Sequence, residues 1–544
     1  MFNTYGIAQI DSISGNFEYN AKKILEYIKK AQLNNIDLVI FPNNALSGNL
    51  LEDVIKRHPY LILECEKWLN GIAAKTQNIT AIIGYYNGTI AIIENGTITK
   101  IIEEYPYVYK NICITDLEPV NSELIINFKQ TTGKDVLLMQ NSLAYHAKKT
   151  KTPVIYVNSV GANDNISYIG SSAVFNEEGK LIARANSFEE DFLVADFKKN
   201  CEIKPLPVSE TDKTEFTLNY EPDMERTYRT LIQGIKGYFN KCGIKRAVLG
   251  LSGGLDSTIC ATLLAHALGK ENVLGISMPS KITSNESKSD AKKLAENLGI
   301  KFFEAPIKQM VDVTSECFNI LFNNIEKSWS GKYTDSYTQD NIQARLRAMY
   351  LFGVSNEFSS CIPIATSDKS ESYMGYATIN GDMSGGFAPI ADVSKTKLFA
   401  LAKWINKNIE NVIPQAVINK RPGAELAIDP NTGKPLCAED ALMPYEFLDE
   451  IIWRIENKHQ SFNDMLDDEF LYEKKCTLSK KQKIEWLNKF YKRMSSALYK
   501  WSIMPPSIIV DDYTINKSVY YQPITSGKID YIGKSTDEIL SKLC

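Results

Sequence analysis

From residue 226 onward, the sequence alternates between segments with helical periodicity and short apolar segments that predict β-strands. Three of these strand segments are RAVLGL (246–251), NVLGISM (272–278) and KFFEAPI (301–307). This alternation is typical of a parallel sheet with helices on both faces, because parallel strands need a crossover connection. We therefore expect residues 226–544 to form an α/β domain with a doubly wound parallel sheet.

A glycine-rich loop, SGGLDS (252–257), joins the first of these strands to the following predicted helix. The carboxyl end of a parallel strand and the N–H groups of a helix N-terminus are where such folds bind anions. The lysine that a Walker loop requires is absent, so transfer of a γ-phosphate is not indicated. We predict that Ser252, Gly253, Gly254, Asp256 and Ser257 bind nucleotide phosphates; the alternative is a plain glycine turn.

The pattern S-G-G-x-D-S resembles the pyrophosphate loop of the N-type ATP pyrophosphatases. Three later stretches lie at 340–352 (DNIQARLRAMYLF), 365–404 (beginning ATSDKSESYMGYATINGDMSGGFAPI) and 424–452 (beginning AELAIDPNTGKPLCAEDA). In order and spacing they resemble the synthetase domain of the glutamine-dependent NAD(+) synthetase family. The resemblance implies amidation of deamido-NAD to NAD through an acyl-adenylate, with ATP as cosubstrate, Mg²⁺ as cofactor, and AMP and pyrophosphate as products.

Several residues of these stretches suit that chemistry. Thr366 follows the predicted strand CIPIA, where its hydroxyl could contact the nucleotide at the carboxyl edge of the sheet. Mg²⁺ usually takes one or two carboxylates plus phosphate oxygens, so we predict that Asp256 and Glu371 share one ion. Lys395, at the start of a predicted helix, could neutralise the departing pyrophosphate and is predicted to be catalytic.

The resemblance also implies roles for two residues that would contact the dinucleotide substrate. Asp382 is predicted to be catalytic, and the region of Arg345 is predicted to bind the nucleotide. Each charged residue has a structural alternative, because a charge at a helix start is usually a solvated cap and Arg345 or Arg347 could be a surface charge.

The first 200 residues predict a different α/β domain. An apolar strand (5–10), an amphipathic helix and a second strand (36–42) are followed by strands at 80–86, 89–95 and 97–105 that Asn-Gly turns connect. Two further stretches, at 153–183 and around Phe41-Pro42, resemble the nitrilase-like amidase domain of the same family. We predict an α-β-β-α sandwich over 1–203, a connector over 204–225, and the synthetase domain over 226–544.

The amidase site of the family uses a Glu, a Lys and a Cys to release ammonia from glutamine, and this sequence departs from that pattern. Asn43 follows Phe41-Pro42 where the glutamate is expected, and a neutral amide cannot accept the thiol proton. Cys113 is the plausible match to the nucleophile, but Ile114 and Thr115 break the family's C-E-D-x-W. We predict a degenerate glutaminase site at Asn43 and Cys113, with ammonia as the nitrogen donor.

Alternatives remain at this point. Cys113 could still serve a glutamine-dependent enzyme, and the chain could be an inactive nucleotide-binding scaffold. Three other kinds of enzyme share the loop. GMP synthetase would need a different amidotransferase domain, and asparagine synthetase would need a cysteine at position 2, where this chain has Phe2. The tRNA-thiolating enzymes commonly carry paired cysteines and basic regions, which this sequence lacks.

Composition narrows the class of protein further. The formal net charge of −4 gives no general attraction to nucleic acid, and the ten cysteines form no C-x-x-C pair that would indicate zinc. The N-terminus lacks a signal-peptide pattern, and no run of about 18 apolar residues occurs, so we expect a cytoplasmic protein without membrane contact. The family resemblance implies a homo-oligomer.

Overall fold

The computed structural model describes most of the chain, in these residue ranges: 2–49, 52–116, 119–133, 135–197, 202–203, 223–325, 337–421, 423, 438–471, 478–511 and 514. The chain divides into two compact units, Met1–Lys241 and Cys242–Cys544. Most of the predicted connector, 204–222, lies outside the described residues, and 223–225 begin a helix.

The first unit contains two large sheets and the helices that cover them. Its helices are α1 (Phe17–Leu33), α2 (Glu52–Arg57), α3 (Tyr60–Lys75), α4 (Asp135–Thr150) and α5 (Asp223–Lys241). Its strands are β1 (Thr4–Gln9), β2 (Leu38–Ile40), β3 (Thr80–Tyr86), β4 (Thr89–Glu94), β5 (Thr97–Ile102), β6 (Tyr107–Tyr109), β7 (Ile112–Thr115), β8 (Leu124–Asn127), β9 (Val154–Tyr156), β10 (Val160–Asn163), β11 (Ile166–Ile169), β12 (Ala173–Phe175), β13 (Leu181–Arg184), β14 (Asp191–Asp196) and β15 (Glu202–Ile203).

The two large sheets of this unit pack face to face. One has the strand order β15-β14-β1-β2-β3-β4-β5 and the other β13-β12-β9-β8-β7-β6, while β10 and β11 form a separate ribbon. Ile7 and Ile82 of the first sheet share one buried cluster with Ile114 and Ile126 of the second. Helices α1 and α3 cover the outer face of the first sheet, and α4 covers the outer face of the second. The predicted α-β-β-α sandwich is confirmed.

The second unit is built on a parallel sheet. Its strands are β16 (Arg246–Gly250), β17 (Val273–Ser277), β18 (Lys301–Glu304) and β19 (Cys361–Pro363). Its helices are α6 (Leu255–Leu268), α7 (Asn285–Leu298), α8 (Lys308–Ile325), α9 (Thr338–Glu357), α10 (Lys369–Tyr373), α11 (Lys395–Asn408), α12 (Gln415–Asn419), α13 (Ala438–Ala441), α14 (Tyr445–Lys458), α15 (Phe462–Asp467) and α16 (Lys480–Trp501), with 3₁₀ turns at Lys270–Asn272 and Glu469–Leu471.

The strand order of this sheet is β18-β17-β16-β19, and this order indicates where a ligand would bind. All neighbouring strands are parallel, as predicted. The chain moves outward from β16 through β17 to β18 and then returns to the opposite side of β16 with β19. The order therefore reverses beside β16, and ligands of open α/β sheets bind in the crevice at such a reversal.

A helical cluster lies next to the sheet and carries part of the same crevice. Side chains of α10, α14 and α16, including Tyr373, Leu448 and Trp501, pack in one apolar core. The Trp501 indole N–H donates to the carbonyl oxygen of Ser372 at 2.8 Å, which fixes the last turn of α10. Among the described residues, the structure contains no helix with the length and apolarity needed to span a membrane.

Candidate active site

The glycine loop forms one wall of a cavity of about 250 Å³ at the carboxyl end of β16. Ser252, Gly254, Asp256 and Ser257 line this cavity. Gly254 is the N-cap residue that precedes α6 and has no side chain to bond its first N–H groups, so the uncapped end of this 14-residue helix lies at the loop. Such a helix end attracts an anion through its N–H groups and its dipole.

The loop is held in shape by its own hydroxyl groups and by close packing. The Ser257 hydroxyl donates to the Gly254 carbonyl oxygen at 3.2 Å, and the Gly254 N–H donates to Ser252 Oγ at 3.2 Å. Gly253 has a positive φ of 78°, and a Cβ at that position would lie 2.2 Å from the carbonyl oxygen of Ser287. A glycine is therefore required at residue 253 by backbone geometry and by space.

Lys395 lies at the centre of an acidic cluster beside this loop. Its Nζ atom is 2.7 Å from Asp256 Oδ1, 2.8 Å from Asp368 Oδ2 and 3.0 Å from Glu371 Oε1. The Lys395 side chain is fully buried. Burial alone would lower the pKa of Lys395, but the three carboxylates raise it well above its ordinary value, so the lysine is protonated.

Three neighbouring helix starts supply these groups. Asp256 is in the first turn of α6, Asp368 and Glu371 are at the start of α10, and Lys395 is the first residue of α11. Asp368 also caps α10, since its Oδ1 accepts the N–H of Glu371 at 2.9 Å. Burial raises the pKa of Asp368 to about 6 and that of Glu371 well above its ordinary value, although Lys395 opposes both shifts.

The carboxylates of the cluster suit a magnesium ion. Within the described part of the chain, Asp256, Asp368 and Glu371 each offer an oxygen, and these oxygens lie within 4.8 Å of one another. Hard carboxylate oxygens are the ligands that Mg²⁺ prefers, with phosphate oxygens and water completing its shell. Asp256 and Glu371, predicted to share an ion, therefore lie together, and Asp368 joins them. Sequence reasoning missed Asp368, although an Asp three residues before a Glu is the pattern of a helix cap.

The other predicted site residues lie in different surroundings. Thr366 and Asp382 both line the cavity, and the Asp382 carboxylate accepts the Thr378 N–H at 2.6 Å. Arg345 is exposed, and its Nε donates to the Ile379 carbonyl oxygen at 3.1 Å. Arg347, two residues later on α9, lines the cavity instead and donates to the Met278 carbonyl oxygen at 3.1 Å. Lys420, which the sequence did not indicate, also lines the cavity.

In the first unit, Asn43 takes part in a network of neutral side chains at the ends of strands. Gln130 Nε2 donates to the Asn43 carbonyl oxygen at 2.8 Å and to Ser159 Oγ at 2.7 Å. The Asn43 side chain accepts the N–H of Asn44 at 2.9 Å. These loops follow β2, β8 and β9, so Gln130 joins three strand ends through groups that carry no charge.

Cys113 lies inside β7 rather than at the strand end. It is fully buried in the cluster beneath α4, whereas Ile112 and Ile114 face the core between the sheets. β7 runs parallel to β8, and Thr115 is the residue paired with Asn127 at the edge that leads to Gln130. Burial raises the pKa of the Cys113 thiol, which disfavours the nucleophilic thiolate.

The lysines near this region also have partners elsewhere. Lys110 Nζ forms an ion pair with Glu94 and lies 5.3 Å from the centre of the Phe2 ring. Lys100 Nζ lies 5.3 Å from the centre of the Tyr107 ring. Neither contact places a lysine ammonium group beside a cysteine thiol. Neither therefore resembles the arrangement that hydrolyses glutamine.

Comparison with known proteins agrees with this architecture. The NAD synthase family model matches residues 227–509, and the carbon-nitrogen hydrolase model matches residues 105–202. The glutamine-dependent NAD(+) synthetase of Aquifex aeolicus is 34% identical over 82% of this chain and 88% of its own length. The chain belongs to the glutamine-dependent NAD(+) synthetase family. It is thus an NAD synthetase, a carbon-nitrogen ligase, and the predicted family is confirmed.

Other NAD synthetases show the same layout. The glutamine-dependent NAD(+) synthetase of Synechocystis is 31% identical over 89% of this chain and 94% of its own length. The crystal structure of the Cytophaga hutchinsonii glutamine-dependent NAD(+) synthetase has a TM-score of 0.77 at 20% identity and covers 97% of this chain and 98% of its own. The structure of the Acinetobacter baumannii glutamine-dependent NAD(+) synthetase in complex with adenosine diphosphate has a TM-score of 0.66 at 23% identity and covers 94% of this chain and 96% of its own. Both confirm the fold.

Proposed function

We propose that this chain amidates deamido-NAD to NAD with ATP and Mg²⁺, and that its nitrogen donor is ammonia rather than glutamine. The synthetase part of the proposal is carried by Lys395, which lies within 3.0 Å of three carboxylates beside the glycine loop. An intact cation and intact carboxylates at the loop favour an active enzyme over an inactive nucleotide-binding scaffold.

In the first step, a carboxylate oxygen of deamido-NAD attacks the α-phosphorus of ATP, and the bond from that phosphorus to pyrophosphate breaks. The first N–H groups of α6 and the Lys395 ammonium would stabilise the charge that develops on the leaving pyrophosphate. Asp256, Asp368 and Glu371 would hold Mg²⁺, which neutralises phosphate charge when bound. The protein supplies positioned charges and no covalent nucleophile.

In the second step, neutral ammonia attacks the carbonyl carbon of the acyl-adenylate, AMP leaves, and the amide of NAD forms. The ammonia gives up a proton as the C–N bond forms. Thr366 and Asp382 line the cavity, where we propose that they contact the nucleotide and the dinucleotide substrate respectively. For the dinucleotide contact assigned to the Arg345 region, Arg347 is the better placed of the two arginines, since it lines the cavity.

The choice of ammonia rests on the first unit. A thiol needs a base to become a nucleophile in glutamine hydrolysis, and the amide of Asn43 cannot serve as one. Cys113 is fully buried within β7, in an apolar cluster. Together these features favour a nitrilase-like unit that keeps its fold but does not release ammonia.

The test compares nitrogen donors under the same conditions. We expect NAD formation with ammonium, and with glutamine alone less than about a tenth of that rate, because a missing general base costs roughly 10²- to 10⁴-fold. Glutamine labelled with ¹⁵N in its amide should leave NAD unlabelled. Cys113→Ala should change neither rate, while label in NAD that disappears in Cys113→Ala would restore the glutamine-dependent alternative.

Two further expectations remain proposals. We propose a homo-oligomer, for which exposed apolar side chains on α8 give support, and a cytoplasmic enzyme, for which the sequence alone gives support. Fractionation of cells that produce the native chain would test the location, and sedimentation of the native chain would test the oligomeric state.

A further inference from the structure

The N-terminus of α11, which carries Lys395, is capped by residues from two other helices. The preceding residue, Ser394, makes no side-chain cap of its own. Instead, the N–H of Lys395 donates to Ser370 Oγ at 2.9 Å, and the N–H of Thr396 donates to Asp449 Oδ2 at 2.8 Å. The first N–H groups of a helix have no partner within the helix, so these contacts fix where α11 begins.

Asp449, in α14, connects this helix start to that of α10. Its Oδ1 accepts the Ser370 hydroxyl at 2.5 Å, and its Oδ2 accepts the Thr396 hydroxyl at 2.6 Å as well as the Thr396 N–H. The Asp449 side chain is buried, with 9% of the residue exposed. The Asp449 carboxylate therefore bonds both Ser370, the residue before Glu371, and Thr396, the residue after Lys395.

This connection matters because α10 is too short to hold its own orientation. It has five residues, and isolated helices of that length are unstable in water. Glu371 must nevertheless lie 3.0 Å from Lys395 Nζ, a contact between two helices. Asp449 itself is absent from the residues that line the cavity, so its influence on a bound nucleotide would pass through its neighbours.

We propose that Asp449 is a positioning residue for the NAD-forming reaction: its carboxylate locks the starts of α10 and α11 together so that Lys395 and Glu371 stay in contact beside the glycine loop. This role rests on the function proposed above. The carboxylate accepts three hydrogen bonds, and an amide of the same shape keeps one acceptor oxygen only, so Asp449→Asn disrupts the lock with little change in volume.

The experiment compares Asp449→Asn with Glu450→Gln, which makes the same chemical change one residue later on α14. Glu450 pairs with Arg454 on its own helix at 2.7 Å and does not contact α10 or α11 through that pair. We expect kcat to fall about 100-fold in Asp449→Asn, since a misplacement of about 1 Å has that effect. KM for ATP should stay within about threefold, and Glu450→Gln should keep the native kcat.

A second pair of variants covers the case in which Asp449→Asn does not fold. Thr396→Val removes one hydroxyl from Asp449 but keeps the backbone cap, so kcat should fall by about tenfold, while Thr396→Ser keeps the hydroxyl and should restore it. Where Asp449→Asn folds, Thr396→Val in its background should cost less than it does alone, because both changes break the same contact. Where Asp449→Asn does not fold, a native kcat in Thr396→Val would overturn the proposal. Additive losses would overturn the proposal, as would a native kcat in folded Asp449→Asn.

The failure of the proposed function would be visible separately. If the native chain forms no NAD from deamido-NAD, ATP, Mg²⁺ and ammonium, the proposed function is wrong. The kcat of a variant then has no native kcat to be compared with. A crystal structure of Asp449→Asn then decides the positioning role: we expect Lys395 Nζ and Glu371 to separate beyond 4 Å, the limit for an ion pair, and an unchanged contact would refute it.

Discussion

At the scale of single residues, the acidic cluster has more negative than positive charge when no ligand is bound. Asp256, Asp368 and Glu371 could carry three negative charges against the single positive charge of Lys395. Burial raises the pKa of two of these carboxyl groups, which is the expected response of like charges in a low-dielectric site. A divalent cation would remove this excess, so the cluster is better suited to binding a metal–phosphate complex than to stabilising the fold.

Lys395→Met tests this cation directly. The methionine keeps the apolar stem but leaves the buried carboxylate of Asp368 and the partly buried carboxylates of Asp256 and Glu371 uncompensated, so we expect the free energy of unfolding to fall by about 3–5 kcal/mol. The kcat for NAD formation should fall about 10²- to 10³-fold, as on loss of one preorganised charge stabiliser. Urea unfolding and an NAD assay with ammonium measure the two effects.

The matched control for this variant is Lys403→Met, which removes an exposed lysine from the same helix. We expect its unfolding free energy to stay within about 0.5 kcal/mol of the native value and its kcat to be unchanged. If Lys395→Met and Lys403→Met behaved alike, Lys395 would have no role in the reaction.

The sequence predicted part of this site because some residues belong to a continuous motif. Asp256 lies two residues after the glycine pair in the same loop motif, and its pairing with Glu371 follows from the need of Mg²⁺ for carboxylates. The difference between Arg345 and Arg347 could not be predicted, because both lie on α9 and the side that faces the cavity depends on how α9 packs. Asp449 carried no recognisable motif, and its contact with Ser370 spans 79 residues.

At the scale of elements, the loop before α6 contains two glycines with different roles. Gly253 has a positive φ and contacts the backbone of Ser287, whereas Gly254 has an ordinary extended backbone (φ −91°, ψ 166°) and lines the cavity. The first is required by the fold of the loop, and the second leaves room for a ligand. Substitution by alanine should therefore have different consequences at the two positions.

We expect Gly253→Ala to lower the free energy of unfolding by at least about 1–2 kcal/mol, because alanine resists a positive φ. Gly254→Ala should leave unfolding within about 1 kcal/mol, since its Cβ would meet Ser252 Oγ at 3.2 Å and that side chain can shift. Its KM for ATP should rise instead. Thermal unfolding together with ATP titrations measures both, and a Gly254→Ala variant with native KM would contradict a phosphate at the loop.

Elements with strong local patterns were predicted well. The strands β3, β4 and β5 follow from Asn-Gly turns and apolar runs, and β16, β17 and β18 follow from their alternation with helices. Helices such as α10 and α13 are shorter than two turns and carry no periodicity that could be recognised. Their positions come from tertiary packing, which sequence patterns do not contain.

At the scale of the whole molecule, the two folds were predictable because each contains long stretches of family pattern. The boundaries predicted at 203 and 226 stay predictions, since the connector between them falls almost wholly outside the described residues. The compact units divide after Lys241, because α5 packs on β10 and β11 of the first unit. Gln233 of α5, for example, donates to the Tyr168 carbonyl oxygen at 2.8 Å.

One helix of the second unit, α8, exposes apolar side chains that could join two copies of the chain. Val313, Cys317, Ile320 and Leu321 recur on one face of α8 at helical spacing, and each is exposed. None of the α8 side chains is buried against the part of the chain that the structure describes. Exposed apolar surface that is this continuous usually marks an interface, and we propose that a second copy of the chain covers it.

Ile320→Asp should therefore change the oligomeric state, because an aspartate at a buried interface would lose its hydration without gaining a partner. We expect the native chain to sediment with at least twice the mass of one chain, and Ile320→Asp to shift toward a single chain at micromolar concentration. Leu63→Asp, at an exposed apolar residue of the first unit, should keep the native mass. A native chain that sediments as a monomer would refute the homo-oligomer, and an unchanged mass in Ile320→Asp would place the interface on another surface.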